Sequence, residues 1–451
     1  MPTGAEAAPT DAEAAPTDAE AAPTGAEAAP TDAEAAPTDA EAAPTDVKPS
    51  IALGIKKSGH SSGCTRFYFV LYRTMDRYYF DWAATAQPAN PWFNPLTGLY
   101  GNPSSRHLEG RRARNALEEA RSRCAKILGV QPGELYFTSG GTESNAIPLH
   151  SLLLRKNAAI LVSAVEHPSV RENALALERL GLGLTHIGVE RDGRITEQTL
   201  LAALEKAPGT RFAAIMGVNN ETGAVMDLPG LARRLRSRKP PVHIHSDLVQ
   251  ALGKLPLDIN GWDLDSASFS AHKIGGPRGV GLLWLCKPLE VLDLGGGQEG
   301  GIRPGTENTA GAVALADCME RFAAPQAVEA NVSAAKDRWK VLIRALRNID
   351  RCTLIPEDRL DDDDRFSPWI LQAGFRGIPG EVMARALDDA GFAVGTGSAC
   401  SSRLHKRPVL EAMGIRGDLA LEGIRISQGW SSSIEEIEKL IAAIVKILEV
   451  L

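Results

Sequence analysis

Apolar residues in this chain fall into short continuous runs separated by longer stretches of helical periodicity, a rhythm that begins near Met75. YYFDW predicts a short strand, and residues 106–128 predict an amphipathic helix with Leu117, Ala120, Cys124 and Leu128 on one face. ELYFTS at 134–139 predicts a strand running into Gly140 and Gly141, followed by a helix from about Thr142. Further buried strands are expected at 158–164, 212–218, 242–247, 266–270 and 280–285, with helices near 168–180 and 229–238. Strand–helix alternation at this spacing predicts an α/β fold, a mainly parallel sheet covered by helices. Beyond about residue 325 the order becomes helix, strand (PWILQA), helix, strand, loop, helix, strand (GIRIS), helix, which predicts a smaller α+β domain. The expected division is a large domain over 90–325 and a small one built from 75–89 and 326–451.

The N-terminal end is of another kind. Residues 2–43 are six tandem copies of the unit PT(D/G)AEAA, with a degenerate seventh from Pro44. A seven-residue period would suit a coiled coil, but the only apolar side chains are alanines, and proline at every seventh position breaks any long helix. Residues 1–50 therefore read as a disordered acidic tail and 51–74 as an unassigned linker. The first fifty residues hold eleven acids and one lysine, so the formal charge of -7 belongs to the tail and the rest is slightly basic. A body that close to neutral offers no charge-based attraction to nucleic acid or a membrane surface. Six cysteines are scattered without a CxxC pair, which argues against a zinc knuckle or a compact disulfide framework. The N-terminus lacks a secretory pattern and the apolar run at 67–72 is too short to span a bilayer. A soluble, cytoplasmic protein is expected.

Four places carry candidate chemistry. Lys273 ends SFSAHK and precedes the loop IGGPRG, where partial burial or a cationic neighbour would lower its pKa and let it condense with an aldehyde. Asp247 ends VHIHSD, with Gln250 just after it. A pyridoxal ring needs such a carboxylate to keep its nitrogen protonated; His243, His245 and Asp247 also alternate along one strand face and could instead ligate a metal. Ser139-Gly140-Gly141-Thr142 sits at a strand-to-helix turn, where unsatisfied N–H groups suit a phosphate or serve a plain helix cap. Cys400 lies in AVGTGSACSSRLHKRP, a polar loop with Arg403, His405 and Lys406 nearby that favours a thiolate.

Ten segments in order, among them GNPSSRH, FTSGGTESN, EHPSV, VNNETG, HSDLVQALGKLPLD, SFSAHKIGGPRG, GGGQEGGIRPGTEN, GTGSACSS and GIRIS, resemble the cysteine desulfurases of the class V aminotransferases. The resemblance covers nearly all of residues 78–450 and implies a fold type I pyridoxal-phosphate transferase. It implies that Lys273 bonds the cofactor and moves the substrate Cα proton, and that His167 stacks on the pyridine ring. Asp247 would pair with the ring nitrogen, and Asn220 and Gln250 would contact the 3-oxygen. Gly141, Thr142, Ser270 and His272 would hold the phosphate, and Thr306 would reach it from the other subunit of a homodimer. Arg425, with Asn220 beside it, would take the substrate carboxylate, as a bidentate guanidinium suits. Cys400 would accept sulfur from L-cysteine, leaving alanine and a persulfide for an acceptor such as an iron–sulfur scaffold or a tRNA-thiolation partner. The same superfamily offers a selenocysteine lyase or an aminotransferase, though the latter has no use for Cys400, and an inactive scaffold subunit is the reading from another class. Gln298, Gln428 and Trp430 depart from the family pattern, and the last two are expected beside the carboxylate site.

Alanine-and-proline repeats bury too little apolar area to offset the roughly 1–2 kcal/mol per residue of fixing a backbone. Deleting residues 1–74 is therefore expected to leave cofactor content and sulfide release nearly unchanged, by absorbance and colorimetric assay; loss of either would give the tail a role.

Overall fold

The computed structural model describes residues 77–84, 99–155, 158–397 and 407–451. The repeat tail, the linker and the segment carrying Cys400 lie outside the described residues. Every described element belongs to the compact unit Met75–Leu451. In chain order it begins with β1 (Tyr78–Tyr79), α1 (Leu108–Leu128), β2 (Leu135–Thr138), α2 (Gly141–His150), β3 (Ala159–Ser163) and α3 (Pro168–Arg179). There follow β4 (Gly183–Ile187), α4 (Glu197–Lys206), β5 (Thr210–Ala214), α5 (Leu228–Arg236), β6 (His243–Asp247), β7 (Ser266–Ser270) and β8 (Gly281–Leu285). Next come α6 (Thr309–Phe322), α7 (Pro325–Arg347), β9 (Cys352–Ile355), β10 (Ile370–Phe375), α8 (Gly380–Asp389) and β11 (Phe392–Ala393). The chain closes with α9 (Pro408–Ala412), α10 (Asp418–Glu422), β12 (Gly423–Ser427) and α11 (Ile434–Val450).

Seven strands form the main sheet in the order β2-β8-β7-β6-β5-β3-β4. Only β8 is reversed, antiparallel to β2 and to β7; the other four pairings are parallel. The mainly parallel sheet is thus as the periodicity predicts. Its six co-directional strands end on one edge, where ligands of open α/β sheets gather. Strands β2, β7 and β8 are buried at every position, because helices cover the sheet and no face is left for polar alternation.

The hydrophobic pattern misses β4 and β9 for a shared reason. Both are edge strands, and GLTHI and CTLI lack the continuous apolar run of a central strand. It also places the strand of FAAIMGV late. β5 pairs from Thr210 to Ala214, yet Ile215 and Gly217 still donate backbone N–H groups to the carbonyls of His245 and Asp247, so the chain tracks β6 to Gly217.

A second sheet, β12-β10-β9, is antiparallel throughout. Alternation along β10 divides it between two cores. Leu371, Ala373 and Phe375 pack with Phe80, Trp339, Ile424 and Ile426, whereas Ile370 joins the core of the main sheet. Gln372 lies opposite Arg425 in the register, so Arg425 faces away from the smaller core. Buried Arg359 fixes this sheet to the turn after β5 by donating to the carbonyls of Thr222 (3.0 Å), Ile370 (2.8 Å) and Ser367 (2.9 Å).

Another buried guanidinium ties α1 to β2. Arg121 donates to the Leu135 carbonyl (2.8 Å) and to both oxygens of Glu299 (2.7 and 2.8 Å), and Glu299 also accepts from Phe137 N (2.7 Å). Glu299→Ala would remove the buried carboxylate from Arg121 and the acceptor from Phe137 N, leaving the exposed Glu118 to face the guanidinium. We expect a loss of about 3–5 kcal/mol in urea unfolding; a loss under about 1 kcal/mol would contradict this account.

Candidate active site

Loops from the carboxyl ends of β2, β3, β5, β6 and β7 meet around a cavity of about 610 Å³. Its lining includes Gly141, Thr142, His167, Asn220, Asp247, Gln250, Ser270, His272, Lys273 and Arg425. Ten positions singled out in sequence are therefore brought together. Thr306 is exposed and is not part of this lining, and Cys400 lies outside the described residues.

Asp247 ends β6 almost completely buried, and its direction is fixed from both sides. Asn145 Nδ2 donates to Oδ2 (2.7 Å) and Val249 N donates to Oδ1 (3.0 Å). Asn145 is fixed in turn, since its Oδ1 accepts from His245 Nε2 (3.0 Å) and its Nδ2 also reaches Ser169 Oγ (2.8 Å). An amide oxygen only accepts, so the His245 proton sits on Nε2, and Nδ1 accepts from Ser266 Oγ (2.8 Å). Burial holds the His245 pKa down to about 3. With both nitrogens engaged, His245 is a strut behind Asp247. No group of three His, Cys, Asp or Glu side chains among the described residues could hold a metal ion.

His167 caps α3. Its Nδ1 accepts from Ser169 N (3.1 Å), which leaves the proton of the neutral ring on Nε2. Burial lowers its pKa, and Asp247 opposes that shift. Beside it, Glu166 is fully buried and pushed well up by desolvation, then by Asp247.

Lys273 follows β7 by one short turn. Its Nζ donates to the carbonyls of Ala83 (2.6 Å) and Ala84 (2.8 Å). Burial first, and Arg425 second, bring its pKa down from 10.5 to about 8. Arg425 is held by Asp81 Oδ1 (2.8 Å) and the carbonyls of Asn220 (2.9 Å) and Gly397 (3.3 Å). At the other side, α2 is preceded by Gly140 at its N-cap, whose φ of 153° needs glycine and which supplies no side-chain cap. A Cβ on Gly281 would lie 2.6 Å from the Gly140 backbone, so β8 keeps glycine to let this turn approach.

Several of these residues escape sequence reasoning. Asn145 and Asp81 stand inside recognised motifs but find their partners only in the fold, and the Ala83 and Ala84 carbonyls carry no side-chain signal. The expected placement of Gln428 and Trp430 beside the carboxylate site is not what the structure shows. Gln428 accepts from Arg338 and donates to the carbonyls of Ala335 (2.9 Å) and Pro368 (2.6 Å). Trp430 packs on Trp82, Phe322 and Trp369. Neither lines the cavity, because the chain beyond Ser427 turns into an aromatic cluster. Gln298 instead accepts from Gly305 N (3.1 Å), next to Thr306.

A family model for class-V aminotransferases matches residues 78–440. The chain belongs to the cysteine desulfurase family of class-V aminotransferases. A "NifS/IcsS protein homolog" of Lactobacillus delbrueckii subsp. bulgaricus is 36% identical over 81% of this chain and 95% of that protein. "Cysteine desulfurase IscS" of Pectobacterium carotovorum is also 36% identical, over 82% of this chain and 92% of its own length. A solved "NIFS-like protein" superposes with a TM-score of 0.75 at 31% identity, covering 83% of this chain and all of that one.

The donor set of this family member fits pyridoxal phosphate: an amine, a fixed buried carboxylate, a neutral imidazole and an uncapped helix start around one cavity. Because burial and Arg425 disfavour the ammonium, Lys273 becomes a free amine as pH rises past about 8. Capture of pyridoxal phosphate by apoenzyme, trapped with borohydride, should rise with that midpoint. Arg425→Met removes a repelling cation and should move the midpoint upward; a parent midpoint near 10.5 would overturn the assignment.

Proposed function

We propose that the chain removes sulfur from L-cysteine in the cytoplasm as a homodimer, leaving L-alanine and a persulfide on Cys400. The observation that carries this is the meeting of Lys273, Asp247 and Arg425 at one cavity. An amine, a carboxylate and a guanidinium so arranged match an amino-acid substrate and a pyridoxal cofactor end to end.

When bound, pyridoxal phosphate supplies an electron sink for negative charge at the substrate Cα. Asp247 keeps the ring nitrogen protonated, a task for which its two fixed hydrogen bonds and low exposure suit it. Lys273, near pH 8 shared between its two protonation states, anchors the cofactor and carries the Cα proton. His167, a neutral imidazole with its proton on Nε2, would stack on the cofactor ring from the cavity wall. The N–H groups at the start of α2, with Thr142, Ser270 and His272, hold the phosphate. Arg425 takes the substrate carboxylate, with Asn220 beside it. That step exchanges one anionic partner for another, since Asp81 already balances the guanidinium.

Cys400 Sγ, as thiolate, attacks the substrate sulfur. The new S–S bond forms as the Cβ–S bond breaks, and the bonding pair stays with carbon, which takes up a proton to give alanine. Gly397 and Pro408, which flank the segment of Cys400, line the same cavity as Lys273, and this supports the short transfer. The persulfide then serves an acceptor protein such as an iron–sulfur scaffold. Thr306, exposed and away from the cavity of its own chain, suits a contact with the phosphate of a second copy.

Purified protein given L-cysteine should release alanine and, with a reducing thiol, sulfide. Cys400→Ser should keep the cofactor spectrum and lose nearly all sulfide release, since a hydroxyl is a far poorer nucleophile toward sulfur than a thiolate; turnover at the parent rate would sink the persulfide route. In sedimentation, a monomer that still binds the cofactor tightly would contradict the shared phosphate site.

A further inference from the structure

Lys254 has no place in the chemistry above, yet it is a lysine only 3% exposed. Its Nζ makes a 2.7 Å hydrogen bond to Gln250 Oε1. Gln250 is itself buried and lines the cavity, and its Nε2 donates to the Ala83 carbonyl (2.9 Å). That carbonyl also accepts from Lys273 Nζ (2.6 Å). The four groups form one chain, from Lys254 through Gln250 and Ala83 to Lys273.

A primary amide has two ends of opposite polarity and nearly equal shape. Placed alone in the cavity wall, Gln250 could present either. Lys254 Nζ donates to Oε1, the one role open to an ammonium, and the Ala83 carbonyl only accepts. Both constraints select the same orientation, with Oε1 turned inward to Lys254 and Nε2 turned to the Ala83 side. The amide keeps a second N–H, so Gln250 offers the cavity a donor and never an acceptor.

We propose that Lys254 is a positioning residue that fixes the polarity of Gln250, making this part of the cavity wall specific for an acceptor oxygen on the bound cofactor. The inference rests on the pyridoxal-phosphate reading. Without Lys254 the Ala83 carbonyl alone would hold the polarity of the amide, and the buried Oε1 would lose its one partner among the described residues, so that inversion toward the cofactor oxygen becomes easier.

The test is a double-mutant cycle on holoenzyme, reading the dissociation constant of pyridoxal phosphate and the pH midpoint of the bound cofactor's absorbance. Lys254→Met and Gln250→Leu should each weaken cofactor binding about tenfold, the scale of one hydrogen bond to a charged group, and shift the midpoint in the same direction. The double variant should match Gln250→Leu alone within about twofold, because Lys254 acts only through the amide. Cofactor affinity unchanged in Lys254→Met, or losses that multiply in the double variant, would overturn the proposal. If Lys254→Met does not fold, the comparison of the double variant with Gln250→Leu decides, since that pair leaves no amide unpartnered. A double variant that fails to fold where Gln250→Leu folds would place Lys254 in the fold rather than behind the amide. Parent protein that takes up no pyridoxal phosphate would sink the cofactor reading itself.

Discussion

A buried carboxylate with a fixed direction is the constraint on which the rest of this site depends. Burying the polar Asp247 side chain is costly unless its oxygens are satisfied, and Asn145 and Val249 N donate to it from two sides. Fixing Asp247 requires fixing Asn145, which requires His245 in one tautomer and Ser169 in place. Ser169 in turn sets His167. One polar network therefore aligns β6, α2 and α3, and none of its members can be moved alone. This accounts for the polar side chains on β6 and β7, strands that general rules would fill with aliphatic residues.

The second frame comes from the smaller sheet. Alternation along β12 sends Ile424 and Ile426 into one core and Arg425 the other way, toward the cavity. Arg359 then locks β10 to the turn that carries Asn220, with three carbonyls around a guanidinium whose pKa burial brings down to about 9. Such a group is expensive inside a protein unless every direction is satisfied. Its presence shows how much this fold invests in the placement of one turn.

Much of this was legible in the chain. Continuous apolar runs ending in glycine or polar residues marked the strand ends where Asp247, Lys273 and the Gly140 turn sit, and ordered motifs named the family. What escaped was pairing over long separations. Asp81 meets Arg425 across more than three hundred residues, and Asn145 meets Asp247 across about a hundred. Periodicity reports which way a side chain faces, and says nothing of what stands opposite. Backbone partners such as the Ala83 carbonyl leave no compositional trace. Gln428 and Trp430 misled for the converse reason: neighbours of Arg425 in sequence, they follow a turn away from the cavity.

The strap around Ala83 links both ends of the unit. Ala83 N donates to Ser427 Oγ (2.9 Å), Ser427 N donates to the Phe80 carbonyl (2.8 Å), and Gly429 packs so closely on Trp82 that any Cβ would fall 2.1 Å from the indole. The carbonyls that receive Lys273 are thus held by residues made some 345 positions later. On the ribosome, with synthesis at about 5–20 residues per second, the main sheet can be translated in full while its cavity still lacks a wall. No shortened product ending before residue 425 can therefore present a finished reaction chamber, and a nascent chain is spared premature chemistry until its last strand emerges.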